Sequence, residues 1–219
     1  MSLAIFDLDN TLLGGDSDYL WGQFLVEKGV VDALLYEQEN QRFYNEYKQG
    51  TLDIFEFLRF SLKPLKDNSC RQLQTWRDEF IETKIKPIYL QQAQELVNSH
   101  RARGHLLMII TATNRFVTEP IAHLYGIDIL LATEPEIKAG EYTGEVAGTP
   151  CFQSGKVTNL NQWLKENNQT LEGSYFYSDS HNDLPLLELV DNPVAVDADE
   201  RLVSQATQRQ WPIISLRKL

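Results

Sequence analysis

The stretch Leu3-Ala4-Ile5-Phe6-Asp7-Leu8-Asp9-Asn10-Thr11 decides how this chain is read. It starts as a short, continuous apolar run and ends in acids. A run without polar alternation suits a parallel strand buried on both faces. Residues two apart in extended chain point to the same side. Asp7 and Asp9 are therefore expected to project together from the carboxyl end of that strand, where open α/β sheets place their ligands. A carboxylate there is ionised at neutral pH and can act as a nucleophile without a helper base. A second acid beside it can protonate a leaving group and then activate water. An acidic turn capping a helix is the plainer reading. Yet a chance D-x-D-x-T in a chain this long is only a few-per-cent event, roughly, and its place directly after an apolar strand favours function.

Further apolar runs lie at Leu106–Ile110, Ile127–Leu131, Tyr175–Tyr177, Val194–Val196 and Ile213–Ile214, with amphipathic stretches between most of them. Strands alternating with helices predict an α/β fold, a Rossmann-like, doubly wound and mostly parallel sheet. From about Asp16 to Lys86 no strand pattern occurs. Helical stripes replace it: Leu20, Trp21, Phe24 and Leu25; then Leu34, Leu35, Gln38 and Gln41; then Ile54, Phe55, Leu58 and Leu62; then Leu73, Trp76, Phe80 and Ile81. Gly29, Gly50 and Pro64 fall at the breaks. The expected organisation is a core of residues 1–15 and 86–219, with a helical insertion at 16–85. Lys138–Val146, with Gly140 and Gly144, reads as a small hairpin.

Of the 219 residues, 20 are Lys or Arg and 31 are Asp or Glu, a formal net charge of -11. Such a surface repels nucleic-acid phosphates and anionic lipid, so neither is expected as a partner. No apolar run reaches the length of a membrane span, and the first residues lack the basic region of a secretory signal. Cys70 and Cys151 are far apart and in no metal-like spacing, which suits a reduced, cytoplasmic setting.

Three more features complete a constellation. Thr111 ends its strand as Ile110-Thr111-Ala112-Thr113, and its hydroxyl with following N–H groups could hold a phosphate oxygen; alone, it reads better as a helix N-cap. Lys156 opens an amphipathic helix, where a lone lysine is usually solvated. Ser178-Asp179-Ser180-His181-Asn182-Asp183 puts two acids after another strand, hard oxygen ligands of a kind that suits Mg²⁺. His181 beside them reads as a solvent-facing loop histidine. Trp21, Phe24, Phe43 and Tyr47 could line a pocket, although packing explains such residues more often.

Taken in order, DLDNT, IITAT, Lys156 and SDSHNDLP resemble the four motifs of the haloacid dehalogenase superfamily of aspartate-nucleophile phosphohydrolases. The resemblance covers essentially the whole chain. A helical insertion directly after the first motif looks like the cap of the phosphoserine-phosphatase-like branch. It implies Asp7 as nucleophile, Asp9 as acid and base, Lys156 as the catalytic cation, and phosphate contacts from Thr111, Ala112, Lys156 and Asn182. Mg²⁺ would be held by Asp7, Asp179 and the Asp9 carbonyl, with Asp183 supporting its water shell. Two cap positions are implied for substrate: Asp16 for an amine, and Arg59, in Arg59-Phe60-Ser61-Leu62, for a carboxylate or phosphate. Local alternatives are a helix cap for Asp16 and an i,i+3 pair with Glu56 for Arg59.

Two departures set the chain apart within that branch: Thr111-Ala112-Thr113 stands where Ser-Gly-Gly is usual, and Asp16 where Glu is usual. LLGGDSD, TATNRFVTEPIA and SDSHNDLPLLE look like a bacterial group some of whose members are regarded as histidinol-phosphatases. The resemblance thus implies an Mg²⁺-dependent phosphomonoesterase acting through an aspartyl-phosphate on a small amine-bearing metabolite, with L-histidinol phosphate as the leading substrate, in a monomer or homodimer. Phosphoserine phosphatase and phosphotransferase, using the same intermediate, are the alternatives. The intact acids disfavour a non-catalytic binding module, and the second Asp with the metal acids disfavours a haloalkanoate dehalogenase.

Overall fold

The computed structural model describes residues 2–217. Its centre is a seven-stranded sheet in the order β4-β3-β2-β1-β5-β6-β7. The strands are β1 (Leu3–Phe6), β2 (Leu106–Asn114), β3 (Ile129–Lys138), β4 (Glu141–Ala147), β5 (Tyr175–Ser178), β6 (Asn192–Val196) and β7 (Ile213–Ile214). All neighbours pair in parallel except β3 and β4, an antiparallel hairpin. This is the expected α/β architecture, with β1 in the middle. The chain leaves β1 towards β2 on one side and later returns to β5 on the other. The carboxyl edge at β1 is therefore a switch point of the topology.

Why β1 is apolar throughout is clear from its two faces. Ala4 and Phe6 join one apolar layer, Leu3 and Ile5 the other, and all four are fully buried. The second layer is covered by α8 (Ser154–Glu166), α9 (Leu184–Leu187) and α10 (Glu200–Arg209), through Leu160, Leu186 and Leu202. The first is covered by α6 (Gln91–Ala102) and α7 (Arg115–Leu124).

Between β1 and α6 the chain is helical: α1 (Ser17–Glu27), α2 (Ala33–Gln49), α3 (Ile54–Ser61), α4 (Lys63–Asp67) and α5 (Cys70–Phe80), then a π-turn at Ile81–Ile85 and a 3₁₀ turn at Lys86–Ile88. An isolated bridge between Leu13 and Tyr89 closes the base of this excursion. Its core is continuous with the first layer. Trp21 stacks on Phe24, with ring centroids 5.6 Å apart, and meets Phe80 and Phe116 edge-on at 5.2 and 5.7 Å. The turns between helices follow their residues. Gly50 ends α2 in the left-handed conformation that glycine adopts without strain, and Asp53 caps α3 through the N–H groups of Phe55 and Glu56.

Several local expectations need correction. The strands at Leu106 and Ile127 are longer than their apolar runs and, for the latter, start later, because the ladder continues through Thr113, Asn114 and Glu134. The face proposed for α2 is the wrong one. Leu34 and Leu35 are exposed while Tyr36 and Phe43 are buried. Phe55 likewise points outward, and Leu58 carries the burial of α3.

Candidate active site

The site lies on the carboxyl edge where β2, β1 and β5 end. The Asp7 N–H donates to the Tyr177 carbonyl at 2.9 Å, which extends the β1–β5 pairing by one residue and fixes Asp7 at the sheet edge. The chain then turns sharply. Thr11, Leu12 and Leu13 donate N–H bonds to the Leu8 carbonyl, and Asn10 takes φ of 57°, a conformation that asparagine tolerates better than most residues. This turn brings the Thr11 hydroxyl back over the strand end.

Lys156 holds the centre. Its Nζ lies 2.7 Å from Asp7 Oδ1 and 2.8 Å from Asp183 Oδ2, and the residue is only 3% exposed. The plainer local reading, a solvated lysine, therefore does not hold. The local cause is close packing at Gly155, where a Cβ would stand 2.0 Å from the Pro150 carbonyl oxygen. Only glycine lets the start of α8 sit this near the preceding loop. Burial pulls an ammonium towards neutrality, but the charges of Asp183 and Asp7 outweigh it and keep Lys156 protonated. The Ser178 hydroxyl also donates to Asp183 Oδ2, at 2.7 Å. Asp183 is thus committed to holding the lysine.

The other Asp7 oxygen faces Asp179. Asp7 Oδ2 and Asp179 Oδ1 lie 3.4 and 3.3 Å from the Thr11 hydroxyl. Burial, partly offset by Lys156, pushes the Asp7 carboxyl up to about 7. Asp179 is raised by burial and then by the charges of Asp7 and Asp183. Two carboxylates so close are short of positive charge. Among the described residues no three His, Cys, Asp or Glu side chains group as a metal cage. A cation here would rest on two carboxylates, a backbone carbonyl and water, a set that suits Mg²⁺, which keeps much of its water shell.

Asp9 is held apart from Asp7. Its Oδ2 accepts from the Thr113 hydroxyl at 2.7 Å and its Oδ1 from the Ser17 N–H at 2.6 Å. Burial, then the neighbouring charge of Asp16, raises its carboxyl to about 6. The Thr113 N–H in turn donates to the Thr111 hydroxyl at 3.2 Å. Thr111 is buried and is not a helix cap; Asn114 caps α7 instead, accepting from Val117 N–H. The β2–β3 register shifts between Ile110 and Asn114. Such an irregularity re-aims side chains, and it spans the segment carrying Thr111, Ala112 and Thr113.

Asn182 sits in the 3₁₀ turn after β5. Its Oδ1 accepts from Gln153 Nε2 at 2.9 Å, and its buried Nδ2 has no partner among the described residues. Gln153 has φ of 47° and ψ of -119°, an uncommon conformation for a side-chain-bearing residue. The Tyr47 hydroxyl, carried by α2, lies 2.8 Å from Ser180 Oγ and joins the helical segment to this loop. His181 turns to Asp199, 2.8 Å from its Oδ2, rather than to the acids beside it.

The two cap positions differ. Asp16 caps α1, accepting from Tyr19 N–H at 2.9 Å, and its charge acts on Asp9. Arg59 is exposed on α3 and makes no hydrogen bond or ion pair among the described residues. Its expected local partner, Glu56, pairs instead with Arg42 at 2.8 Å. Sequence reasoning missed Thr11, Ser178 and Gln153. Small polar residues next to motif acids were the available signal for the first two; nothing local marked Gln153.

The family profile of haloacid dehalogenase-like hydrolases matches residues 4–188. The chain belongs to this family. A histidinol-phosphatase of Neisseria meningitidis serogroup C is 45% identical over 99% of both chains. A phosphoserine phosphatase of Mycobacterium tuberculosis is 30% identical over 98% of this chain and 70% of its own. A solved protein of unknown function from Bordetella pertussis superposes with a TM-score of 0.93, at 42% identity and 99% coverage of both chains. A phosphoserine phosphatase trapped as a phospho-aspartyl intermediate analogue superposes with a TM-score of 0.71 over 99% of this chain and 94% of its own; at 20% identity that likeness concerns the fold. This member of the haloacid dehalogenase-like hydrolases is a phosphatase.

Proposed function

We propose that this phosphatase hydrolyses L-histidinol phosphate with Mg²⁺, passing the phosphoryl group through Asp7. The observation that carries the reading is the division of labour at Asp7. One oxygen is pinned by Lys156, and the other is turned towards Asp179 and the Thr11 hydroxyl. Asp9 stands beside it on separate anchors.

Asp7 attacks phosphorus in line, and the ester P–O bond breaks as the Asp7 O–P bond forms. Asp9 gives its proton to the departing alkoxide. Water then attacks the aspartyl-phosphate, Asp9 takes the water's proton, and Asp7 is released with inorganic phosphate. Thr111, Ala112, Asn182 and Lys156 are assigned to the phosphoryl oxygens, with the unpartnered Asn182 amide as the free donor. Mg²⁺ would be held by Asp7, Asp179 and the Asp9 carbonyl, and would supply charge neutralisation for the transferring group. Asp7, Asp9, Asp179 and Asp183 against Lys156 leave three net negative charges. A proton on Asp9 and a divalent cation cancel them before the phosphate dianion enters. We assign residues 16–85 as the cap and the remainder as the core, with Asp16 facing the substrate's amine.

The substrate assignment rests on the co-extensive relative named histidinol-phosphatase and on the acidic character around Asp16. It is tested by phosphate release with Mg²⁺ from histidinol phosphate, O-phosphoserine, a sugar phosphate and a nucleotide monophosphate. Histidinol phosphate should give the highest kcat/KM, and EDTA should stop turnover. Asp7→Asn should remove at least about 10³-fold of kcat. Near-normal turnover in that variant refutes the nucleophile, and a clear preference for O-phosphoserine refutes the substrate.

A further inference from the structure

Asp18 has no part in the chemistry above, yet it stands on the first turn of α1 beside it. Three carboxylates gather there: Asp9, Asp16 and Asp18. No Lys, Arg or His pairs with any of them among the described residues, whereas Lys156 serves only Asp7 and Asp183. Asp9 and Asp16 accept backbone N–H bonds from Ser17 and Tyr19. Asp18 is partly buried and has a single long contact, the Asn114 amide at 3.5 Å. Burial, then the charges of Asp16 and Asp9, raises its carboxyl to about 8.

A second, independent feature faces it. Tyr36, on α2, is only 7% exposed, and its hydroxyl has no hydrogen-bond partner among the described residues. The phenol end of its ring lies against α1 at Gly22, where an added Cβ would stand 2.2 Å from Cε1 and 2.5 Å from the hydroxyl oxygen. Gly22 is one helical turn beyond Asp18, on the same face. The glycine therefore admits the phenol to the Asp18 face, where burial, and then the Asp18 charge, pushes the Tyr36 phenol up. The phenol oxygen keeps contact with solvent at this face, so it and the Asp18 carboxyl, neither held by a cation, are both free to accept from a donor group that enters beside α1.

We propose that Asp18 and the Tyr36 hydroxyl form a second substrate subsite beside Asp16, which takes an N–H-bearing basic ring on the leaving alcohol. With Asp16 on the amine, the site would select alcohols with two basic nitrogens and repel those with a carboxylate. The inference rests on the phosphatase reading and deepens it. It assigns leaving-group selectivity to α1 and α2 rather than to Arg59.

The test compares wild type, Asp18→Asn and Tyr36→Phe on histidinol phosphate, O-phosphoethanolamine and O-phosphoserine, each with Mg²⁺. L-Histidinol, which carries no phosphate, is titrated calorimetrically against all three proteins. Asp18→Asn should lower the preference for histidinol phosphate over O-phosphoethanolamine, and weaken histidinol binding, each by about tenfold, the scale of one charge-assisted contact. Tyr36→Phe keeps the ring against Gly22 and should lower both by about threefold, as for a neutral hydrogen bond. It also reports on the subsite if Asp18→Asn does not fold. A preference unchanged within about twofold in both variants overturns the proposal, a shift smaller than a single net hydrogen bond would give. If wild type hydrolyses none of the three esters, the substrate reading falls, and histidinol titration alone judges the subsite. Binding lost in Asp18→Asn then upholds it, and no wild-type binding overturns it.

Discussion

Replacing Lys156 with Met keeps the buried stem and removes the charge shared by Asp7 and Asp183. Asp7 and Asp183 are 6% and 3% exposed, and without the ammonium between them the Asp7 carboxyl, already pushed up to about 7 beside Lys156, rises further, so the folded variant holds its proton at pH 7. In the unfolded chain that carboxyl ionises at its ordinary value of 3.8. At 1.36 kcal/mol per pKa unit, holding the proton at pH 7 costs about 4 kcal/mol, and at pH 5 about 2 kcal/mol. The sign follows from proton counting. The folded variant binds more protons than the unfolded one, so its stability rises as pH falls from 7 to 5. The first figure matches the cost of breaking a buried ion pair. Urea unfolding in EDTA at the two pH values, with linear extrapolation, measures both. A deficit below about 1 kcal/mol at pH 7 refutes the argument that Lys156 is the electrostatic keystone of this site.

Three further outcomes are expected. Gly155→Ala drives a methyl into the Pro150 carbonyl and should cost about 1–3 kcal/mol while lowering kcat through a displaced Lys156; an unchanged melting temperature and rate would contradict that. His100 is fully buried, its ring nitrogens near His105 and the Tyr177 hydroxyl, and burial, then Arg103 and His105, lowers it to about 4 from 6.5. Stability should therefore fall by about 2 kcal/mol between pH 6.5 and pH 5, as the unfolded state takes a proton that the fold refuses. His100→Gln should flatten that slope, and an identical slope in both proteins rejects the assignment. Arg59→Ala should change KM for O-phosphoserine no more than for histidinol phosphate, because the guanidinium is exposed; a selective loss on the carboxylated ester would restore its recognition role.

Much of the site was legible because its acids follow apolar strands, and a strand's exit point needs no knowledge of its neighbours. Asp7, Asp9, Asp179 and Asp183 could be located that way, and the parallel sheet with them. What the residues next to a position do not show by themselves depends on distant partners. Lys156 looks solvated until Asp7, far away in sequence, and Asp183 arrive to pair with it. Thr111 looks like a cap until the ladder runs on to Asn114. The buried face of α2 was misread because Leu34 and Leu35 outweigh its aromatics on a hydropathy count, while Tyr36 and Phe43 have Phe60 to pack against. The significance of Gly22 is equally invisible without the phenol ring that covers it.

The aromatic knot of Trp21, Phe24, Phe80 and Phe116 ties the helical excursion to the sheet at one corner. At the Tyr47 side the polar tie is the Tyr47–Ser180 hydrogen bond, beside a contact between the Tyr47 and Phe152 rings. Prising the first corner apart would wet several indole and benzyl faces, whereas releasing the Tyr47 side exchanges one hydroxyl contact for water and parts one pair of rings. The aromatic corner therefore fastens α1, and with it Asp16 and Asp18, more firmly than the Tyr47 side is fastened.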